Sequence, residues 1–140
     1  MALTTVNIFA LGGTIAMAAA PTGRNKAAKG VVPRLTAKAL MSAVPGLSRI
    51  AHVKPIDFRR LPGAHLSDDD LVELARTIIK TRKPAVVTQG TDTIEETAFA
   101  LDLMVGTRVP VVVTGALRHP GLAGADGPAN LLAAVSVAAN

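Results

Sequence analysis

Two apolar runs in this chain end in the same way, and that shared ending constrains the fold more than any other feature. Thr5 to Leu11 (Thr-Val-Asn-Ile-Phe-Ala-Leu) breaks at Gly12-Gly13 and then presents Thr14. Ala85 to Thr88 runs through Gln89, breaks at Gly90 and then presents Thr91, Asp92 and Thr93. Short β-branched apolar runs bounded by turn signals have the composition of buried strands. Glycine at the break permits a tight turn and lets backbone approach a ligand closely. Beyond the second run Ile94, Ala98, Leu101 and Val105 recur at helical spacing, and Thr93 with Glu96 three residues on fits a capping box.

The rest of the chain repeats this alternation. Thr36 caps a predicted helix over Leu35–Val44, stopped by Pro45-Gly46. Ile50–Phe58 reads as a second strand, interrupted by Pro55, and Leu61 to His65 as a turn. Ser67 caps a helix with Asp68, Asp69 and Asp70 in its first turn, where acidic groups complement the helix dipole. Leu71, Leu74, Ala75, Ile78 and Ile79 form its apolar stripe. Consecutive helical aspartates do not face one another, so they make a poor metal cluster. Val109–Thr114 is a further strand, followed by Gly115-Ala116, a glycine-rich loop and a helix from Leu131 onward. Strand and helix in alternation predict an α/β domain with a largely parallel sheet flanked by helices, with no internal repeat and no linker.

Composition narrows the function classes. With 140 residues, 49% of them hydrophobic, the chain can bury one sizeable core. It has no Trp, no Tyr and three Phe, so that core is aliphatic. The absence of cysteine removes disulfides and thiolate metal sites and fits a reducing, cytoplasmic setting. No apolar run approaches the roughly 18 residues of a membrane span, and no signal peptide is evident at the N-terminus. The net charge of +5 raises nucleic-acid binding. The basic residues are scattered in small groups (Arg24/Lys26/Lys29, Arg59/Arg60, Lys80/Arg82/Lys83) without aromatic interleaving, so a solvated surface explains them better. Neither a nucleic-acid nor a membrane partner is expected.

Open α/β sheets place ligands beyond the carboxyl ends of their strands. If the strands ending at Thr14 and Thr91 are neighbours, two hydroxyls and the Asp92 carboxylate converge on one crevice. A threonine hydroxyl attacks a carbonyl once a base or an arranged hydrogen-bond chain takes its proton. Turn amides near Thr91 and Ala116 are suited to a developing oxyanion. The pattern fits acyl transfer, while a polar N-cap cluster explains the Thr91–Thr93 stretch equally well on its own.

Longer blocks decide between these readings. Ile8 to Ala16 (Ile-Phe-Ala-Leu-Gly-Gly-Thr-Ile-Ala) resembles the first signature of the bacterial-type L-asparaginases, the asparaginase/glutaminase-like amidohydrolases. Val87 to Ala98 resembles the second, and Thr114–Arg118 with Ala125–Leu131 a third family block. The order and spacing fit from residue 5 to the last residue. The resemblance implies that Thr14 is the acylated nucleophile and Thr91 the second essential threonine. It implies that Asp92 binds the substrate α-ammonium, and that the Thr91 and Ala116 N–H groups form the oxyanion hole. Gly63, Ala64 and Gly90 complete the substrate site, and Ala18–Val32, which reads as a surface loop, would be a lid. The implied substrate is L-asparagine, with L-glutamine as the alternative, in a homo-oligomer with no metal or organic cofactor.

The sequence departs from the family pattern at three places. The lid tyrosine of the family is missing, with Lys26 or Lys29 as conceivable substitutes. The family's Ser-Gln pair that grips the α-carboxylate falls near Gly63-Ala64, which leaves backbone N–H groups or His65 for that task. The family lysine that activates the second threonine lies downstream of the third block. Residues 1–140 are therefore expected to be the front part of an asparaginase N-terminal α/β domain, lacking the C-terminal domain. A catalytically incomplete fragment that only binds amino acids or self-associates is the competing expectation, with an amidotransferase subunit as a close variant of the enzyme reading.

Overall fold

The computed structural model describes residues 2–19, 31–33 and 35–140. Its centre is a four-stranded sheet in the order β4-β1-β5-β6, built from β1 (Thr5–Gly12), β4 (His52–Leu61), β5 (Ala85–Thr88) and β6 (Val111–Thr114). Every pairing within it is parallel. Two short strands, β2 (Met17–Ala19) and β3 (Val31–Pro33), pair antiparallel beside it. Among the described residues there are five α-helices: α1 (Ala37–Ser42), α2 (Leu47–Ile50), α3 (Asp68–Thr81), α4 (Ile94–Val105) and α5 (Gly127–Ala139). The predicted α/β class with a parallel sheet is the observed one.

The strands are continuously apolar because both of their faces are covered. Side chains alternate across a strand, and here the alternation divides the core in two. Val6, Ile8 and Ala10 of β1 and Val86 of β5 meet Leu40 of α1, Leu47 of α2, and Leu131 and Val135 of α5. Phe9 and Leu11 of β1 and Val87 of β5 meet Leu74 and Ile78 of α3 and Leu101 and Val105 of α4. Burying each such aliphatic side chain contributes roughly 1.5–3 kcal/mol. Truncating Leu74, which is wholly buried, to alanine should cost about 2–5 kcal/mol through the cavity left behind.

Several local expectations need correction. The second strand is not interrupted at Pro55: β4 runs from His52 through it, with Pro55 opposite Ile8. β4 lies at the sheet edge, where proline is tolerated. His52 N–H bonds to Thr4 O, and alternate residues thereafter face β1, so the Pro55 nitrogen falls on the outer side. Pro45-Gly46 stops α1, but Gly46, at φ 93°, immediately starts α2. β6 begins at Val111 and not at Val109, because Pro110 precedes it. The last helix begins at Gly127, earlier than Leu131, with Pro128 in its first turn, where a missing N–H costs nothing. The loop expected over Ala18–Val32 has strand at both ends, Ala18 pairing with Val32 and Ala19 with Val31. The lid expected between them, with Arg24, Lys26 and Lys29, lies outside the described residues.

Candidate functional site

The sheet order places β5 beside β1, so the turns that follow these strands share the carboxyl end of the sheet. The chain crosses from β1 to β4 on one side and returns past β1 to β5 and β6 on the other. The gap between β1 and β5 is therefore the topological switch point, where doubly wound sheets open a crevice.

Each wall is set by a single turn of 3₁₀-helix. After Gly13, at φ 76°, Thr14–Ala16 makes the first, closed by the Ala16 N–H donating to Gly13 O at 3.0 Å. Ile15 and Ala16 are buried in the core while Thr14 is half-buried, so apolar anchoring of its neighbours holds the hydroxyl at the surface. Thr91–Thr93 makes the second turn, directly after β5 and Gly90 and running into α4. Thr93 is the N-cap of α4 but makes no side-chain cap bond, so the expected Thr93/Glu96 capping box is absent. Its Oγ1 is buried without a partner among the described residues because the 3₁₀ turn carries it towards Gly63.

A third segment closes the crevice from β4. The β1/β4 register jumps between Ala10↔Asp57 and Gly12↔Leu61, and this irregularity carries Pro62, Gly63 and Ala64 towards β5. Here glycine is required by close approach. A side chain at Gly13 would run into the main chain of Gly90, and one at Gly63 into the Asp92 carboxylate. The Ala64 N–H donates to Asp92 Oδ2 at 2.9 Å.

Gly13, Thr14, Met17, Pro62, Gly63, Gly90, Thr91 and Asp92 thus line one crevice of about 150 Å³. Five residues singled out from sequence (Thr14, Gly63, Gly90, Thr91, Asp92) share its wall, and Ala64 touches it through Asp92. Asp92 supplies the one charged side chain among the described lining residues. His65 is exposed, on the 3₁₀ turn Gly63–His65. A larger hollow of about 580 Å³ lies among α1, α2 and the start of β4, near His52. It is at the amino end of the sheet and gathers no comparable constellation.

The Ala116 side chain is buried in the core layer of Ile15 and is not among the residues that line the crevice, so any part it plays there falls to its backbone. A side chain at Gly115 would meet Thr91 Cγ2 at 3.1 Å, which puts this turn against the Thr91 wall. Two side chains that sequence reasoning left without a role hold it. Asp126 accepts from the Leu117 N–H through Oδ2 at 3.0 Å and from the Arg118 N–H through Oδ1 at 2.9 Å. These amides keep its carboxyl below the usual carboxylate range. Asn130 Nδ2 donates to Gly115 O and to Asp126 Oδ2, each at 3.0 Å. The signal was present in the third block, but its eight- or nine-residue backward reach has no local periodicity to reveal it. Of the three first-turn aspartates, Asp70 forms a capping box with Ser67 and pairs with Arg59. The Ser67 amide, the Arg59 guanidinium and the Ser67 hydroxyl bring its pKa down to about 2.

A parallel α/β sheet with two strand-end hydroxyls and a carboxylate in its switch-point crevice has the layout of a ligand-binding or hydrolytic domain of the doubly wound class. The model of the family described as Asparaginase, N-terminal, matches residues 5–140. The chain belongs to the asparaginase family. It is 38% identical over 143 residues to the protein named Probable L-asparaginase 4 of Schizosaccharomyces pombe, covering 99% of this chain and 40% of that one. It is 38% identical over 140 residues to Glutaminase-asparaginase of Acinetobacter glutaminasificans, covering 96% and 42%. To L-asparaginase 2-3 of Saccharomyces cerevisiae it is 37% identical over 143 residues, covering 99% and 39%. The chain spans about 40% of the length of the curated relatives it matches.

Proposed function

We propose that this chain carries the threonine nucleophile of an amidohydrolase site that converts L-asparagine to L-aspartate and ammonia. The observation that carries the reading is the convergence of Thr14, Thr91 and Asp92 on one crevice in a chain of the asparaginase family. Thr14 Oγ attacks the side-chain amide carbon, and the amide nitrogen leaves as ammonia after taking up a proton. Water then hydrolyses the threonyl ester, releasing the second carboxylate and restoring the hydroxyl. Thr91, on the opposite wall, serves proton transfer and water placement. Asp92, held by the Ala64 amide, pairs with the substrate α-ammonium through a charge-assisted hydrogen bond. With its N–H already donated to Asp92, Ala64 acts by fixing that carboxylate. The Thr91 and Ala116 N–H groups receive the negative charge that builds on the amide oxygen.

L-Glutamine is the second substrate to consider, since one relative is named Glutaminase-asparaginase. One methylene alters pocket discrimination by only about 1–3 kcal/mol. We further infer self-association, in keeping with Phe99 and Leu103, one turn apart on α4, which are 66% and 68% exposed.

Ammonia release from both amides, measured for the purified protein beside Thr14→Ala, tests the reading. Activity that disappears in the variant supports it. Activity that persists removes Thr14 as nucleophile, and a folded but inactive parent favours the catalytically incomplete fragment.

A further inference from the structure

The bonds around Ala116 assign a task to the start of α5. The Gly115 carbonyl and the Ala116 N–H belong to one planar peptide group, so whatever fixes the carbonyl fixes the direction of the N–H. Asn130 Nδ2 takes that carbonyl at 3.0 Å and spends its other hydrogen on Asp126 Oδ2. Asp126 in turn takes the next two amides, Leu117 and Arg118, and passes over Ala116. The peptide is therefore clamped on both sides while its own N–H is not engaged by the clamp.

The clamp is anchored in the core and stands close to the turns that carry Thr14 and Thr91. Leu131, the next residue after Asn130, is buried in the core layer that also holds Ile15 and Ala116. A side chain at Gly127 would touch Ile15 Cγ1 at 3.0 Å and Ala116 Cβ at 3.6 Å, so α5 packs against the turn that carries Thr14. Gly115 stands against Thr91 on the other side.

We propose that Asn130, braced by Asp126, is a positioning residue for the amide hydrolysis: it aims the Ala116 N–H by holding the Gly115 carbonyl. The inference rests on the amidohydrolase reading above. A donor aimed at developing charge acts chiefly in the transition state, so its loss lowers kcat and spares KM.

The test compares the parent protein with Asn130→Leu, which removes the donor, and Asn130→Gln, which restores one. Two readouts are taken: kcat and KM for L-asparagine, and the Gly115 ¹³C′ and Ala116 ¹⁵N–H resonances. For Asn130→Leu we expect a fall in kcat of about 10- to 100-fold, below the loss of a whole oxyanion donor, with KM within about two-fold of the parent. The Gly115 and Ala116 resonances should move together, and Asn130→Gln should recover part of both changes. Should Asn130→Leu fail to fold, Asp126→Asn is read by the same two measurements. An unchanged kcat, a change confined to KM, or resonances that stay in place would overturn the inference and leave the amidohydrolase reading intact. A folded parent that releases no ammonia would overturn that reading and this inference together.

Discussion

The Ala64 N–H donates to Asp92 Oδ2 at 2.9 Å across 28 residues of sequence, tying the turn after β4 to the turn after β5. The bond leaves Asp92 Oδ1 beside Gly63, where a methyl group would overlap it. Gly63→Ala should therefore displace the carboxylate and weaken ground-state binding of the substrate ammonium. We expect KM to rise about ten-fold or more with a stability loss of about 1–3 kcal/mol from overpacking. Steady-state kinetics and urea melts check this; an unchanged KM would show that Asp92 does not hold the substrate.

Thr14 is half-buried on a turn whose anchoring is done by Ile15 and Ala16. Thr14→Ala should abolish amide hydrolysis while costing less than about 1 kcal/mol, within the range for substitutions away from the core. Chemical denaturation beside the activity assay separates the two effects. A loss of several kcal/mol would mark Thr14 as structural.

Glycine matters at some turns for space and at others for dihedral angle alone. Gly13 has φ 76° and faces the Gly90 main chain, whereas Gly106 has φ 57° with nothing within 4 Å of an added methyl. Gly106, at φ 57° and ψ −142°, holds a conformation that is close to glycine-only, so Gly106→Ala should cost about 1–3 kcal/mol in backbone strain. Gly13→Ala adds an overlap that rigid backbone cannot relieve and should cost at least about 3 kcal/mol. Equal losses in thermal melts of the two variants would contradict the close approach of β1 and β5 ends.

Asp70 titrates at about 2 in the folded chain against an ordinary 3.8. A depressed folded pKa means that its stabilising effect is complete above the ordinary value and is lost as pH falls from there through about 2. Asp126 is shifted in the same direction by the Leu117 and Arg118 amides. Stability measured by denaturant between pH 5 and pH 2 should therefore fall, and Asp70→Asn should flatten the acid limb. An acid limb that is the same with and without Asp70 would remove the capping box as its source.

What could be read from sequence follows from the range of the interactions involved. β1, β5 and the Thr14 and Thr91 turns were legible because apolar runs and glycine breaks are local signals. The crevice needed one further condition, that β1 and β5 be neighbours, which only the sheet order supplies. Pro55 misled because its tolerance depends on β4 being an edge strand, a property of the assembled sheet. Thr93 misled because a 3₁₀ turn displaced the expected cap. Asp126 and Asn130 stayed mute because their partners, Leu117, Arg118 and Gly115, lie across a loop with no periodicity.

The two hydroxyl-bearing turns are moored in different layers. The Thr14 turn is rooted through Ile15 and Ala16 in the layer shared with α1, α2 and α5, and the Thr91 turn leads into α4, whose Leu101 and Val105 belong to the other. The crevice is thus a seam, and its width is a gauge of how the two layers are aligned across the sheet. A loosened side chain deep in either layer moves one lip and leaves the other in place, so core substitutions remote from Thr14 and Thr91 will detune the gap between the hydroxyls before they unfold the chain.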